Sequence, residues 1–154
     1  MASFFGQYSV NLDANNRIVV PFRLREELLS QSPLYISKGI EEKEKYLVVY
    51  PSHIWERLSS QINMFRNIKE VAHPDRLLRK NLFGATHPLE IDGNNRALLP
   101  TDLRSYANLN KKILLIGMQE VIEIWDEDVW NSSNKNDDLS KVLAKGAKEG
   151  IHLY

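Results

Sequence analysis

The chain has 154 residues, 43% of them hydrophobic and 26% charged, with a formal net charge of zero and no cysteine. That is enough apolar material for one packed domain or two small ones, and it excludes a disulfide framework or a thiolate metal site. No apolar run approaches the roughly 20 residues of a membrane span, and the first residues lack the basic and apolar regions of a secretory signal, so the expectation is a cytoplasmic protein.

In chain order, residues 4–11 read as a strand and Asn15-Asn16 as a turn. Asn tolerates left-handed backbone angles, so Asn-Asn suits a type I′ hairpin turn. Ile18-Val19-Val20 is a β-branched strand stopped by Pro21, which has no N–H for a ladder. Residues 22–29 read as a short helix, and 34–37 and 46–50 as strands. Ser52 is placed as the cap of a helix with Ile54, Trp55, Leu58, Ile62 and Phe65 near helical spacing. This row reads as core or subunit packing. His73-Pro74 breaks that helix, Asp75 is placed as the cap of the next, and Gly84 ends it. A second strand, Asn94-Asn95 turn, strand and Pro100 follow, then a short helix from Thr101, two strands and a helix from Asp126. Residues 131–138 read as a polar loop and 139–148 as a short, poorly anchored helix in a mobile tail.

Two of these stretches repeat one another. Leu12-Asp13-Ala14-Asn15-Asn16-Arg17-Ile18-Val19-Val20-Pro21 returns 79 positions later as Ile91-Asp92-Gly93-Asn94-Asn95-Arg96-Ala97-Leu98-Leu99-Pro100. Residues 46–50 then match 121–125 at a shift of 75, so the first copy is longer by 4 residues within the charged segment 38–45. A charged insert between apolar runs reads as a hairpin lengthened at its tip. The expected architecture is α+β, built by doubling one unit. The expected divisions are a first repeat at 4–58, connecting helices at 59–82, a second repeat at 83–131 and a tail at 132–154.

The repeated motif suggests a chemistry. Asp13 and Arg17 stand at the shoulders of a tight turn, as do Asp92 and Arg96. An exposed ion pair contributes at most about 1 kcal/mol, which explains little of a spacing kept twice. The functional reading is that Asp orients Arg, whose guanidinium fork suits phosphate or a guanine edge. Residues 1–119 carry 16 Lys/Arg against 12 Asp/Glu, whereas residues 120–154 carry four against eight, so a locally basic face is compatible with the neutral sum. The four histidines show no paired ligand spacing, no nucleotide-phosphate loop is present, and neither metal nor cofactor is expected. The stripe Arg66, Lys69, Arg76, Arg79, Lys80 reads either as support for DNA or as a solvated or subunit-contacting face. A distant alternative is an enzyme with Asp13 and Asp92 as an acid–base pair, which would require the two to converge on one cleft.

These residues resemble the MraZ family of bacterial transcriptional regulators, which carry a D-x-x-x-R motif in each of two tandem units. The flanks agree: Phe5-Gly6 and Arg23-Leu24-Arg25-Glu26 around the first motif, Trp55, Arg76 and Arg79, Leu82-Phe83-Gly84, and Glu123-Ile124-Trp125-Asp126 after the second. The resemblance covers residues 4 to about 131. It implies a pseudo-twofold swapped-hairpin (AbrB-like) β-barrel of two tandem repeats with peripheral helices. It implies a nucleoid-associated regulator that binds double-stranded DNA at direct repeats upstream of the division and cell-wall gene cluster, as a ring of eight or more subunits. Arg17 and Arg96 would contact DNA, oriented by Asp13 and Asp92, with Asn15, Asn16, Asn94 and Asn95 approaching through the turns. Arg23, Arg25 and Arg104 would touch phosphate or would be solvated helix residues. The family usually has Gly before each motif Arg; Asn16 and Asn95 stand there instead. The rival reading is a ring-forming or antitoxin-like protein-interaction module of the same fold.

Overall fold

A computed structural model describes residues 3–41, 43–133 and 138–153. The first half contains β1 (Gln7–Asn11), β2 (Arg17–Val19), α1 (Phe22–Ser30), β3 (Leu34–Lys38), β4 (Leu47–Pro51) and α2 (Ser52–Ile62). After α3 (Pro74–Leu82), the order returns as β5 (His87–Leu89), β6 (Arg96–Leu98), α4 (Thr101–Tyr106), β7 (Lys112–Gly117), β8 (Ile122–Asp126) and α5 (Glu127–Ser132). A last helix, α6 (Leu139–Lys148), has no buried residue. The doubling expected from the sequence is therefore a doubling of element order. Of the polar loop expected at 131–138, Asn131 and Ser132 instead complete α5, and 134–137 lie outside the described residues.

The strands form an antiparallel six-stranded sheet in the order β1-β7-β8-β4-β3-β5, and a separate two-stranded ribbon, β2-β6. The order is unchanged if the halves are exchanged, because β1, β3 and β4 correspond to β5, β7 and β8. Each half's first strand pairs with the other half's third: β1 with β7, and β5 with β3. The central pair joins the two halves' fourth strands, β4 and β8, with Leu47 opposite Ile124 and Val49 opposite Ile122. Among the described residues the strands do not close into the expected barrel. The sheet is open at β1 and β5, and the ribbon lies apart from it.

The sheet is covered on both faces, which is why β4 is buried throughout as Leu-Val-Val-Tyr-Pro. Its side chains still alternate. Leu47 and Val49 join a core with Ile36, Ile113, Leu115, Ile122 and Ile124, roofed by the ribbon's Ile18 and Ala97 and by Leu24, Leu28 and Leu103 of α1 and α4. Tyr46, Val48 and Tyr50 face the other way, into a cluster with Leu114, Ile116, Trp125 and Ile54, flanked by Trp55 and Trp130. There Tyr46 stacks on Trp125 with ring centroids 4.7 Å apart. Burial raises the Tyr50 hydroxyl to a pKa of about 12.

Several local expectations change. Ser52 and Asp75 are not the cap residues; each lies inside its helix, after Pro51 and after His73-Pro74 respectively. Asp75 also pairs with Arg66 at 3.0 Å. Phe83-Gly84-Ala85 forms a further 3-10 turn beyond α3. The first strand begins at Gln7, three residues later than read, and Phe4 bridges to Gln119 alone. A side chain on Gly117 would put its Cβ 2.5 Å from the Phe5 backbone nitrogen, so this close crossing requires glycine.

Candidate nucleic-acid interface

Each motif folds into the same turn. Asn16 N–H donates to Asp13 O at 3.0 Å, and Asp13 N–H donates to Arg17 O at 2.9 Å. The second copy repeats both bonds, Asn95 to Asp92 and Asp92 to Arg96, at the same distances. Only the third loop residue has a left-handed backbone, with φ of 62° at both Asn16 and Asn95. This is a three-residue loop with a single left-handed position, not the two-residue type I′ turn expected, which needs positive φ at both central residues.

The aspartates organise the turns through the backbone. Asp13 Oδ1 accepts the N–H of Asn15 at 2.8 Å and of Arg17 at 3.0 Å; Asp92 Oδ1 does the same with Asn94 and Arg96. The bond from Arg17 N–H is the main cause that holds the Asp13 carboxyl below its usual pKa of 3.8. The Arg96 N–H does this for Asp92. The direct Asp13–Arg17 charge pairing read from the sequence is replaced by a crossed one. The guanidinium nearest Asp13 is that of Arg96 in the other repeat, at 3.9 Å, and Arg17 adds to the field on Asp92.

The ribbon explains the crossing. β2 and β6 run antiparallel with Arg17 opposite Leu98, Ile18 opposite Ala97 and Val19 opposite Arg96. Val20 N–H donates to Asn95 O at 2.8 Å and Leu99 N–H to Asn16 O at 3.0 Å, so each turn is tied to the other repeat's strand. Ile18 and Ala97 point into the core, which leaves Arg17 and Arg96 exposed on one outward face. The two turns lie at the ends of this ribbon, with Asn15 and Asn94 exposed at their tips.

The helix arginines differ. Arg104 is not a solvated helix residue: it donates to Leu99 O at 2.8 Å, Asn16 Oδ1 at 2.9 Å and Thr101 Oγ1 at 2.8 Å. It thereby gives the Asn at the usual glycine position a task that glycine could not perform. Its repeat equivalent Arg25 has a buried Nε without a hydrogen-bond partner, and Phe22 stands where the second copy has Thr101. Arg23 is exposed on α1. The basic stripe is largely exposed but partly paired within the chain, with Arg66 on Asp75 and Arg79 on Asn63 and over the Phe83 ring.

This geometry accords with the comparisons. The family model described as "MraZ protein, putative antitoxin-like" matches residues 3–76 and 82–149, one match per half. The chain belongs to the MraZ family. Proteins named transcriptional regulator MraZ from Shewanella sp. (strain ANA-3) and Shewanella baltica (strain OS195) are 37% and 38% identical to it, each over 127 residues, or 82% of both chains. The MraZ protein of Shewanella oneidensis is 37% identical over the same length. These relatives are named as regulators of transcription, not as enzymes. Among the described residues no helix is long and apolar enough to cross a membrane.

Both motifs lie at turns, as expected from the sequence, but two residues beside the arginines were missed. Val19 and Leu98 share the outer ribbon face with the arginines, and the repeat shift together with strand alternation could have placed them there. His87 lies 3.0 Å from the Asp102 carboxylate at the start of α4. Nothing in the sequence signals that pair.

Proposed function

We propose that this protein is a sequence-specific DNA-binding regulator, without a catalytic role, whose reading surface is the β2-β6 ribbon. The observation that carries this reading is that Arg17 and Arg96, one from each repeat, stand exposed on one face of a single two-stranded ribbon. A β-ribbon fits the major groove, and the guanidinium fork matches the O6 and N7 acceptors of guanine. Asp13 and Asp92 fix the backbone from which each arginine projects. Asn15, Asn16, Asn94 and Asn95 bring the turns toward the duplex, and Arg23, Arg25 and the remaining donors of Arg104 reach for phosphate. The exchanged pairing of β1 and β2 with the second half supports reading the fold as the swapped-hairpin type.

The target on this reading is a set of direct repeats in promoter DNA upstream of the division and cell-wall gene cluster, met by a cytoplasmic, nucleoid-associated ring of eight or more subunits. Exposed apolar side chains between α2 and α3 and on α3, including Met64, Phe65, Ile68 and Leu77, support self-association. A ring would multiply a weak contact through effective concentration. The test is a gel shift with the promoter fragment upstream of the chain's own coding region. Binding by the wild type and loss of binding by Arg17→Ala, with unchanged circular dichroism, is the expected result. Retained affinity in that variant at moderate salt would refute the assignment.

A second reading follows from the family description as antitoxin-like. In it the ribbon is a protein-interaction surface and the arginines meet acidic groups of a partner. The same gel shift separates the two, because that reading expects no sequence preference on DNA.

A further inference from the structure

The outer face of the ribbon carries two aliphatic side chains that packing does not explain. Val19 and Leu98 are each 53% exposed, while their neighbours Ile18 and Ala97 are 3% and 1% exposed. They are repeat equivalents, 79 positions apart. The register sets Leu98 opposite Arg17 and Val19 opposite Arg96, so each arginine has an aliphatic side chain directly across the ribbon. β-propensity would account for a valine at such a position but less well for a leucine. Solubility alone would favour polar residues on the outward positions of a strand.

The combination has a match in the major groove. Guanine presents acceptors there, and thymine presents a C5-methyl group, the apolar feature of that surface. We propose that Val19 and Leu98 contact thymine methyl groups beside the base edges met by Arg96 and Arg17, and so set part of the sequence preference. This rests on the DNA-binding reading above. It deepens that reading by assigning discrimination to two residues outside the motif. The two copies are unequal: Leu98 is larger by one methylene, so its contact extends further from the ribbon.

The test uses the full chain and a duplex that the protein itself selects from a random pool. Thymine is replaced by deoxyuridine one position at a time, which removes only the methyl group. The wild type should bind about fourfold more weakly at each contacted thymine, the equivalent of one buried methyl group. Val19→Ala should abolish the effect at one such position and Leu98→Ala at another, with unchanged melting temperature and unchanged sedimentation. If a sequence is enriched but no deoxyuridine substitution matters, the methyl contacts are refuted while DNA binding stands. If no sequence is enriched, the DNA-binding reading fails and this inference fails with it. If either alanine variant weakens dT and dU duplexes equally, or changes the oligomeric state, the side chains serve the DNA backbone or a subunit contact instead, and the proposal is overturned.

Discussion

Arg104 on α4 donates through Nη1 to Asn16 Oδ1 at 2.9 Å, so the second repeat's helix holds the first repeat's turn. The corresponding link from Arg25 to Asn95 is not made. The two halves share a fold but not the means by which their turns are braced, and stability should show it. Arg104→Ala removes three hydrogen bonds and should cost about 3 kcal/mol, taking each at the usual net value of about 1 kcal/mol. Arg25→Ala removes a buried donor that has no partner and should change stability by less than about 0.5 kcal/mol. Urea denaturation of the two variants measures the difference.

The same asymmetry reaches the asparagines. Both have φ of 62°, where glycine is at ease and asparagine is tolerated. Asn95→Gly should therefore be nearly neutral. Asn16→Gly should be less stable than Asn95→Gly by about 1 kcal/mol, because it alone loses the bond from Arg104. Equal melting curves would show that the Arg104 bond contributes nothing in solution.

How much of this was legible in the sequence follows from range. The places of the turns were, though not their type, because Asp and Asn act within five residues: the carboxylate accepts N–H groups two and four positions on, and the second Asn takes the single left-handed position. The lengthened hairpin after β3 was legible as a charged insert between two apolar runs. Helix starts were less so, since Ser52 and Asp75 have the right side chains for caps but Pro51 and the left-handed His73 already turn the chain. What could not be read was pairing between halves. Nothing near Asp13 announces that its closest guanidinium is Arg96, 83 positions away, because that depends on β2 leaving its own hairpin for β6. The open sheet in place of a barrel is likewise a matter of which edges meet.

Asp13 holds its turn by two hydrogen bonds and tempers Arg96 by charge, and these roles separate. Asp13→Asn keeps an oxygen for the N–H groups of Asn15 and Arg17 but removes the charge; Asp13→Ala removes both. We expect Asp13→Ala to weaken DNA binding by about tenfold or more, the scale of a misplaced base contact, and Asp13→Asn to weaken it less. The carboxyl's pKa is lowered in the fold, so its contribution is complete above the ordinary value of 3.8 and is lost as pH falls through the lower folded value. Turn stability should thus be flat from pH 8 to about pH 5, as amide exchange at Arg17 would measure.

Glu123 behaves in the opposite sense. Burial raises its carboxyl pKa, the N–H of Trp125 at 2.9 Å partly offsets this, and Glu41 adds repulsion. A raised folded pKa means that the ionised form is disfavoured by folding, so stability is reduced at neutral pH and recovers as pH falls toward about 4. Glu123→Gln keeps an acceptor for Trp125 and removes the charge. Its melting temperature should exceed the wild type's at pH 7, and the gap should close as the pH approaches 4. A gap that widens on acidification would contradict the assignment.

On the proposed DNA-binding reading, the two motif arginines would contribute by phosphate contact or by reading bases, and salt separates these. Each neutralised phosphate contributes about −0.9 to the slope of log K against log salt on duplex DNA. If Arg17 reads a guanine edge, Arg17→Ala should lower affinity for the selected duplex by about 1–3 kcal/mol and relax preference at one base pair, with little change in slope. If it meets phosphate, affinity should fall evenly across sequences and the slope should decrease by about 1. The ribbon geometry favours the first outcome for both Arg17 and Arg96, because each stands on the outward face with an aliphatic side chain directly opposite. Binding isotherms at four salt concentrations, on the selected duplex and on a scrambled one, distinguish the cases. A uniform loss on both duplexes for both variants would leave the ribbon as an electrostatic anchor and move sequence discrimination elsewhere on the molecule.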